Sequence, residues 1–293
     1  MADRNKRLDS NVQGDFYVDA TCINCDTCRQ LAPLSFEEIG DYSAVNHQPE
    51  NEPQIHQAYQ ALLACPVGSI GTEHSDKSKL QLAMASFPLH LADGVSYCGF
   101  NSEKSFGANS FFIEHPDGNW LIDSPRYIKH LVDAFERRGG IAQIFLTHED
   151  DVADADKYAA HFGATRIIHR EDAAAVPTSE RIIEGEDVVR IGSEFQVIPV
   201  PGHTAGSMAL LYREQFLFTG DHLWWNPHTQ SLEAPTRLIW RKWALVDSIQ
   251  KLLDYRFEWV LAGHGDRVRL SSDEIKTHLH ALVERRKKGS TAP

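Results

Sequence analysis

Four cysteines near the N-terminus constrain this 293-residue chain more than any other feature. Cys22, Cys25 and Cys28 follow one another at CxxCxxC spacing, and Cys65 comes directly before Pro66. Three thiolates on one short loop can reach three corners of an iron-sulfur cube, and a distant Cys-Pro can supply the fourth. The spacing therefore predicts that the N-terminal part of the chain binds an iron-sulfur cluster and carries an electron.

Zinc and disulfide bonds are the alternatives for these cysteines. Zinc sites usually use two CxxC pairs, and the middle cysteine of CxxCxxC would then be redundant. Disulfide frameworks are typical of short secreted chains, whereas this chain has 5 cysteines and starts with a polar segment. No stretch is apolar enough to span a bilayer. We therefore expect a cytoplasmic protein that makes no use of a membrane.

Two segments, residues 17–28 and residues 61–70, resemble the single-cluster bacterial-type ferredoxins. The resemblance implies that Cys22, Cys25, Cys28 and Cys65 together ligate one [4Fe-4S] cluster. A second cluster would need a second CxxCxxC run, which the sequence lacks. A polar stretch without apolar periodicity follows at residues 71–79. We therefore predict a ferredoxin-like domain over residues 1–82 and a second domain over residues 83–293.

The formal net charge of −12 argues against nucleic acid as a partner. Proteins that bind nucleic acids draw much of their affinity from clustered Lys and Arg. The hydrophobic share of 42% and the charged share of 24% are ordinary for a folded globular protein. We therefore expect a small-molecule substrate or oxidant, with a redox protein as a possible electron donor.

The second domain alternates short apolar strands with helices. An Asp117-Gly118 turn between two apolar runs indicates a β-hairpin. Helices are predicted over residues 127–138, 154–162 and 243–253 and from Ser272 onward. Strands are predicted at residues 110–114, 119–123, 141–147, 165–169, 188–191, 195–200, 208–212, 215–219 and 259–262. Mixed strands with interspersed helices favour an α/β sandwich over a Rossmann domain.

Polar side chains follow four of these strands at equivalent places. They are His148, His203, Asp221 and His264, and the last three each come directly after a glycine. A lone buried His or Asp is often only a hydrogen-bonded core residue. Four of them at strand ends favour a cleft in which a rigid scaffold presents functional groups.

The segments around these residues are similar to the successive motifs of the metallo-β-lactamase superfamily. The matching motifs are Leu121-Ile122-Asp123, Thr147-His148, Pro201-Gly202-His203-Thr204-Ala205-Gly206-Ser207, Thr219-Gly220-Asp221 and Gly263-His264-Gly265. The resemblance implies an αββα sandwich with a metal cleft along one edge of its sheets. The whole chain is thus predicted to be an α+β protein, a ferredoxin-like domain followed by this sandwich.

The first metal motif of that superfamily, H-x-H-x-D-H, is incomplete here. His148 is present, Asp150 stands where the second His belongs, and Val152 and Ala153 replace the final Asp-His pair. Hydrocarbon side chains cannot bind a metal. A register slip of two residues would bring in Asp154 as a carboxylate but would still lack the last histidine. The full dinuclear site of the family is therefore not expected in its usual form.

The ligands that survive favour iron. His148, His203 and Asp221 are two imidazoles and one carboxylate, the facial set typical of non-haem Fe(II). By resemblance, the persulfide dioxygenase branch binds one iron through these positions. The flavodiiron branch places a carboxylate at the position of Asp150 and uses two irons. Hydrolytic zinc enzymes generally keep the histidines that this chain has lost.

Three functional hypotheses follow. In the first, the cluster relays electrons to one or two irons held by these ligands, and Asp150 and His264 assist as catalytic residues. In the second, the chain is a zinc-dependent hydrolase of an ester or thioester, and its cluster is structural or regulatory. In the third, it is a non-enzymatic electron carrier or assembly factor whose second domain holds no metal.

Overall fold

The computed structural model describes residues 2–290, which fall into two compact units. The first unit comprises Met1–Ala142 with Ala153–Phe162, and the second comprises Gln143–Val152 with Gly163–Pro293. The first unit contains all of the predicted ferredoxin-like domain and also residues beyond it. The boundary after residue 82 therefore stays a prediction. Within residues 2–290, no helix has both the length and the apolar character needed to cross a bilayer.

The N-terminal part of the first unit consists of two small antiparallel strand pairs and two helices. β1 pairs with β4, with Phe16 opposite Thr72, and β2 pairs with β3. The longer helix begins after Asn51, whose side chain accepts a hydrogen bond from Gln54 N as an N-cap, and ends at Cys65. The elements are β1 (Phe16–Val18), α1 (Thr27–Leu31), β2 (Phe36–Ile39), β3 (Tyr42–Val45), α2 (Glu52–Ala64) and β4 (Ile70–Thr72).

The rest of the first unit is an antiparallel sheet with helices. The sheet runs in the order β5-β6-β7-β8. Phe112 of β7 stacks on Phe135 of α4 with 4.7 Å between ring centroids, and Phe135 contacts Tyr158 of α5. These buried rings hold two helices against one face of the sheet. The elements are α3 (Lys77–Ala85), β5 (Leu89–Ala92), β6 (Val95–Tyr97), β7 (Phe111–Ile113), β8 (Trp120–Ile122), α4 (Lys129–Arg137) and α5 (Ala155–Phe162).

The second unit contains a parallel group of three strands and a mixed sheet. β9, β10 and β11 pair in parallel, and the mixed sheet has the order β12-β13-β14-β15-β18-β19. Its elements are β9 (Gln143–Phe145), β10 (Thr165–His169), β11 (Arg181–Ile183), β12 (Val189–Ile191), β13 (Phe195–Pro199), β14 (Met208–Tyr212), β15 (Phe216–Gly220), β16 (Trp224–Asn226), β17 (Ser231–Glu233), α6 (Lys242–Lys251), β18 (Trp259–Ala262), β19 (Val268–Arg269) and α7 (Ser272–Ser290).

One face of the mixed sheet is covered by α6 and α7. Ile198 of β13 and Val260 of β18 are fully buried there with Ile249 of α6 and Leu279 of α7. The sheet strands are apolar at consecutive positions because both faces are buried, as in β14, where all five residues are buried. The first unit thus contains a sheet packed against helices, and the second contains a mixed sheet covered by helices.

The strand directions bring the ends of β13, β15 and β18 to one edge of the sheet. β15 and β18 run parallel with Gly220 opposite Ala262, and β13 runs the same way because it is antiparallel to β14. Met208 N at the start of β14 donates to Thr147 O, which places the residue after β9 at this edge as well. The predicted positions at strand ends therefore meet in space.

Most predicted elements are present. The hairpin at the Asp117-Gly118 turn is the β7–β8 pair, and the strands predicted at 165–169 and 259–262 have these bounds in the structure. The β16–β17 hairpin was not predicted. All three residues of β16 are half-buried, and in β17 only Leu232 is buried, so these short strands give no sustained period of two in the sequence.

We predict that Glu180→Gln lowers the stability of the second unit in a pH-dependent way. The carboxylate of Glu180 accepts hydrogen bonds from three nitrogens of Arg166, namely Nε, a terminal guanidinium nitrogen and the backbone N. Arg166 is only 6% exposed. These bonds lower the pKa of Glu180 from 4.5 to about 2. The depressed pKa means that the carboxylate stabilises the fold above pH 4.5, and that this stability is lost as the pH falls toward 2.

The measurement is a set of urea unfolding curves between pH 7 and pH 2. At pH 7 the variant should lose about 1 kcal/mol, less than a fully buried charge-assisted contact, because the Glu180 side chain is 45% exposed. Glu184→Gln is the matched control, because its Arg170 partner has a side chain that is 56% exposed and such surface pairs contribute little. A Glu180→Gln deficit that stays constant down to pH 2 would contradict the prediction.

Candidate metal centres

The four cysteines of the first motif line one cavity in the first unit. Cys28 and Cys65 are buried, Cys22 and Cys25 are partly exposed, and all are free thiols. The other wall residues are mostly apolar, among them Val18, Ile23, Val67 and Ile70. The structure thus brings together the four residues that the sequence predicted as ligands of one cluster.

The backbone of the CxxCxxC loop turns its thiols toward this cavity. Asn24 and Asp26 have φ values of 55° and 64°, a left-handed conformation that Asn and Asp adopt more readily than most residues. α1 starts at Thr27, so Cys28 lies in its first turn. Cys65 follows the last residue of α2, where its backbone N bonds to Ala61 O.

The thiols lie in surroundings that suit a metal cluster. Burial is the main cause that raises the pKa of Cys25 to about 12, and burial also raises the pKa of Cys28. Such thiols stay protonated unless a cation replaces the proton. Backbone N–H groups of Asn24 and Ser69 lie 3.4 and 3.3 Å from the sulfurs of Cys22 and Cys65 and can donate to them. Four convergent thiols with N–H donors fit a [4Fe-4S] cluster.

The second unit contains two overlapping groups of metal-ligating side chains. His148, His203 and Asp221 form the first ligand group, and Asp151, Asp221 and His264 form the second. Within each group, one ligand atom per residue lies within 4.8 Å of the others. Asp221 belongs to both, so its two oxygens can serve two neighbouring metal positions.

Asp150 lies beside the first ligand group. Its Oδ2 is 3.3 Å from His203 Nε2 and 3.7 Å from His148 Nε2, and its side chain is 62% exposed. The contact with His203 lowers the pKa of Asp150, which keeps this group a carboxylate. It therefore adds a third oxygen-bearing side chain at the solvent-facing side of the site.

Asp151 was missed in the sequence analysis and is fully buried in the second ligand group. Glu149–Asp151 form a 3-10 turn, in which successive side chains point about 120° apart. Asp150 can therefore face the first group while Asp151 faces the second. Asp151 stands one residue before Val152, the position where the family motif has its Asp, and it restores the carboxylate in space. The adjacent acids Asp150 and Asp151 are a sequence signal for this residue, but a strict alignment with the family motif considers only Asp150.

His264 fixes the shared carboxylate. Its Nδ1 lies 2.7 Å from Asp221 Oδ1 and 2.9 Å from Asp221 Oδ2. Burial alone would raise the pKa of Asp221, but the neighbouring imidazoles, above all His264, hold it well below its usual range. Asp221 is therefore ionised and oriented before any cation binds.

Buried nitrogens without hydrogen bonds indicate that the site suits a metal. His148 Nε2 and His203 Nε2 have no hydrogen-bond partner among the described residues, and their nearest carboxylate oxygens lie 3.3 to 3.9 Å away. Burial is the main cause that lowers the pKa of His148, which leaves a neutral imidazole able to bind a cation. Gly263 leaves space beside the two carboxylates, because a Cβ there would lie 2.7 Å from Asp151 Oδ2 and 2.8 Å from Asp221 Oδ1.

Asp172, which carries no metal motif, ties the two ligand-bearing turns together. It is 1% exposed and accepts hydrogen bonds from Glu149 N at 3.1 Å, Thr204 Oγ1 at 2.6 Å and Gly206 N at 2.9 Å. The first donor lies in the turn after His148, and the other two lie in the turn after His203. This buried carboxylate therefore sets the distance between the two imidazoles of the first ligand group.

Asp154 belongs to neither ligand group. The two-residue shift of the motif that would have made Asp154 a candidate ligand therefore does not bring it to the site. Its Oδ1 lies 2.8 Å from Lys104 Nζ and 3.0 Å from Lys157 Nζ, and its Oδ2 accepts from Tyr127 N at 2.9 Å. Burial alone would raise its pKa, but these bonds lower it to about 2. Asp154 is thus a structural ion-pair residue, because lysines and a backbone donor already occupy its oxygens.

We predict that Asp172→Asn weakens metal binding in the second unit without unfolding it. The amide would turn one NH2 toward donors that now meet a carboxylate, so the turns bearing His148 and His203 would separate. Loss of a residue that supports metal ligands typically lowers metal affinity 10- to 100-fold. The measurement is competition between the protein and a chelator for Co²⁺, with circular dichroism as the check on folding.

Asp187→Asn makes the same change at an exposed carboxylate and is the matched control. Gly206→Ala should act like Asp172→Asn, since the added Cβ would lie 2.6 Å from the Asp172 carboxyl carbon. Wild-type metal affinity in both Asp172→Asn and Gly206→Ala would contradict the role given to Asp172.

Two protein families match this chain. Residues 18–72 match the 4Fe-4S single cluster domain of Ferredoxin I, and residues 86–282 match the metallo-β-lactamase superfamily. Among curated relatives, a hydroxyacylglutathione hydrolase of Cereibacter sphaeroides is 33% identical over 141 residues, 45% of this chain and 55% of the relative. One of Chelativorans sp. is 30% identical over 179 residues, 57% of this chain and 66% of the relative. The chain spans about half the length of the first of these relatives.

Solved structures support the fold. The BLEG-1 B3 metallo-β-lactamase superposes with a TM-score of 0.51 at 22% identity, covering 64% of this chain and 99% of that protein. A metallo-β-lactamase family protein of Thermus thermophilus superposes with a TM-score of 0.51 at 14% identity, covering 68% of this chain and 81% of that protein. At these identities the likeness concerns the fold alone, and it confirms the predicted sandwich. With two thirds of its length matched to one family, the chain belongs to the metallo-β-lactamase superfamily and carries a single-cluster ferredoxin domain at its N-terminus.

Proposed function

We propose that this protein is a redox enzyme in which the [4Fe-4S] cluster of the N-terminal domain serves a non-haem iron site in the metallo-β-lactamase fold. The observation that carries the proposal is the first ligand group, His148, His203 and Asp221, with the Asp150 carboxylate beside it. Two imidazoles and a carboxylate form the facial set of many non-haem Fe(II) enzymes. The cluster supplies single electrons, which such a centre can use.

The carboxylates favour iron over a histidine-rich zinc site. Three aspartates, Asp150, Asp151 and Asp221, adjoin three histidines in the two ligand groups. Oxygen ligands suit harder cations such as iron and manganese, although zinc enzymes also use two imidazoles and one carboxylate. Metal content is therefore the measurement that separates the two assignments.

The side chains at the candidate iron site have separate roles in this proposal. Iron, when bound, would supply one-electron chemistry and an open position for a small oxidant or substrate. His148 and His203 would hold it from the buried side, since both imidazoles are less than 10% exposed. His264 orients Asp221 through the contacts at 2.7 and 2.9 Å. Asp150, with its 62% exposed side chain, can exchange a proton between the site and solvent.

A metal-dependent thioester hydrolase is the second candidate. It is favoured by the relatives named hydroxyacylglutathione hydrolase and by the second ligand group, which would complete a site for two metals around Asp221. Metals held there would lower the pKa of a water molecule and so supply hydroxide as the nucleophile for the thioester carbonyl. The cluster would then have a structural or regulatory part.

We predict that the full chain contains more iron than its cluster accounts for. A [4Fe-4S] cluster has equal numbers of iron and acid-labile sulfide, so any iron in excess of sulfide lies elsewhere. Asp221→Ala should remove the excess iron, because Asp221 belongs to both ligand groups, and should leave the sulfide content unchanged. Iron, zinc and manganese are measured by mass spectrometry beside a sulfide assay.

Asp154→Asn is the control, since this carboxylate lies in neither ligand group and should keep the excess iron. Excess iron that survives Asp221→Ala would refute the iron site. Stoichiometric zinc, together with hydroxyacylglutathione turnover that is the same with an oxidised and a reduced cluster, would establish the hydrolase instead.

A further inference from the structure

A loop from the metallo-β-lactamase segment lies against the cluster cysteines. We call residues 101–109 the cluster-facing loop; they lie within residues 86–282, which match that superfamily, and outside the ferredoxin match. A Cβ on Gly107 would lie 2.7 Å from Cys25 Cβ, 2.9 Å from Cys25 Sγ and 3.1 Å from Pro66 Cγ. Only a residue without a side chain allows this approach, so the loop covers the Cys25 sulfur directly.

Asn101 connects this loop to the cysteine motif through buried hydrogen bonds. It is 0% exposed, and its Nδ2 donates to Gly107 O at 2.7 Å and to Thr27 Oγ1 at 3.1 Å. Its Oδ1 accepts from Tyr97 OH at 2.7 Å, which fixes the orientation of the amide. Its backbone N donates to Ala64 O, next to Cys65. Asn101 therefore contacts both halves of the cysteine motif.

The Thr27 hydroxyl is oriented by this network. Thr27 Oγ1 lies 3.4 Å from Cys25 Sγ and 3.3 Å from Gly107 O. Because Asn101 Nδ2 donates to Thr27 Oγ1, the Thr27 proton is left for one of two acceptors, Gly107 O, which already accepts from Asn101 Nδ2, or Cys25 Sγ. A thiolate there, carrying negative charge, is the stronger acceptor.

Arg126 places a positive charge at the other end of the motif. A terminal guanidinium nitrogen of Arg126 donates to Leu63 O at 2.8 Å, in the last turn of α2, and its backbone N donates to Phe100 O at 2.9 Å. The C-terminal end of a helix attracts cations, and Cys65 follows this one directly.

We propose that Asn101 and Arg126 of the metallo-β-lactamase segment set the reduction potential of the N-terminal cluster, Asn101 by directing the Thr27 hydroxyl onto Cys25 and Arg126 by its charge beside Cys65. They are positioning residues for the cluster, which depends on this segment as well as on its own domain. The inference rests on the cluster and not on the metal of the second unit. Its failure would therefore leave the proposed iron site untouched.

The direction of the effect follows from charge. Reduction of the cluster adds one electron, so hydrogen bonds to its sulfurs and nearby cations stabilise the reduced form and raise the potential. Removing either the Thr27 hydroxyl or the Arg126 charge should shift the midpoint potential to more negative values. A merely structural role would change cluster content and leave the potential alone.

The test is a titration of the full chain with dithionite, which donates the electrons, followed by electron paramagnetic resonance of the reduced cluster. Arg126→Gln should shift the midpoint potential negative, whereas Arg126→Lys, which keeps the charge, should stay nearer the wild-type value. Arg137→Gln removes a charge from an exposed position on α4 and is the control. Cluster content is read from iron and sulfide in every variant.

Thr27→Val and Thr27→Ser form a second, independent pair. The valine keeps the volume but loses the hydroxyl and should shift the potential negative, while the serine should restore it. If Arg126→Gln assembles no cluster, the Thr27 variants still test whether the hydroxyl directed by Asn101 affects the potential. Equal potentials in Thr27→Val, Thr27→Ser and the wild type, at full cluster content, would overturn the role given to Asn101, and a wild-type potential in Arg126→Gln would overturn the role given to Arg126.

Discussion

The parallel pairing of β15 with β18 is the constraint on which the second metal centre depends. It sets Gly220 opposite Ala262, so Asp221 and His264 leave the sheet at the same edge and meet at 2.7 Å. β13 ends at this edge because two antiparallel steps separate it from β15. His203 after β13 and His264 after β18 therefore need only short turns to reach Asp221, and Asp221 is shared by both ligand groups.

The surrounding charges explain why this edge suits a cation. Asp151 and Asp221 are largely withdrawn from water, and isolated carboxylates in such places are costly. Imidazoles offset part of that cost, and Asp172 holds the two turns that carry them. A bound metal would offset the rest. The aspartates Asp150 and Asp151, in a motif that keeps only its first histidine, thus change the charge of the site and the cations that it favours, while the scaffold stays that of the family.

Candidate ligands could be chosen from the sequence where they lie close together in the chain. The CxxCxxC loop closes over few residues, so its spacing predicts the cysteines as ligands, and the structure places all four cysteines around one cavity. His148, His203, Asp221 and His264 were also identifiable because each follows an apolar strand. Asp151 was not predicted, since linear register cannot show that a 3-10 turn points adjacent side chains about 120° apart, and Asp154, which was named as a candidate, lies in neither ligand group.

The sequence by itself determined the two families, and it selected the cysteines as candidate cluster ligands and the strand ends that carry candidate metal ligands, because these depend on spacing and on hydrophobic patterns along the chain. Only the tertiary structure decided that Asp151 completes the second ligand group, that Asp172 joins two turns, and that Asn101 and Arg126 reach the cysteine motif. Such contacts join residues distant in the chain. They depend on how strands and helices pack, and no local pattern encodes them.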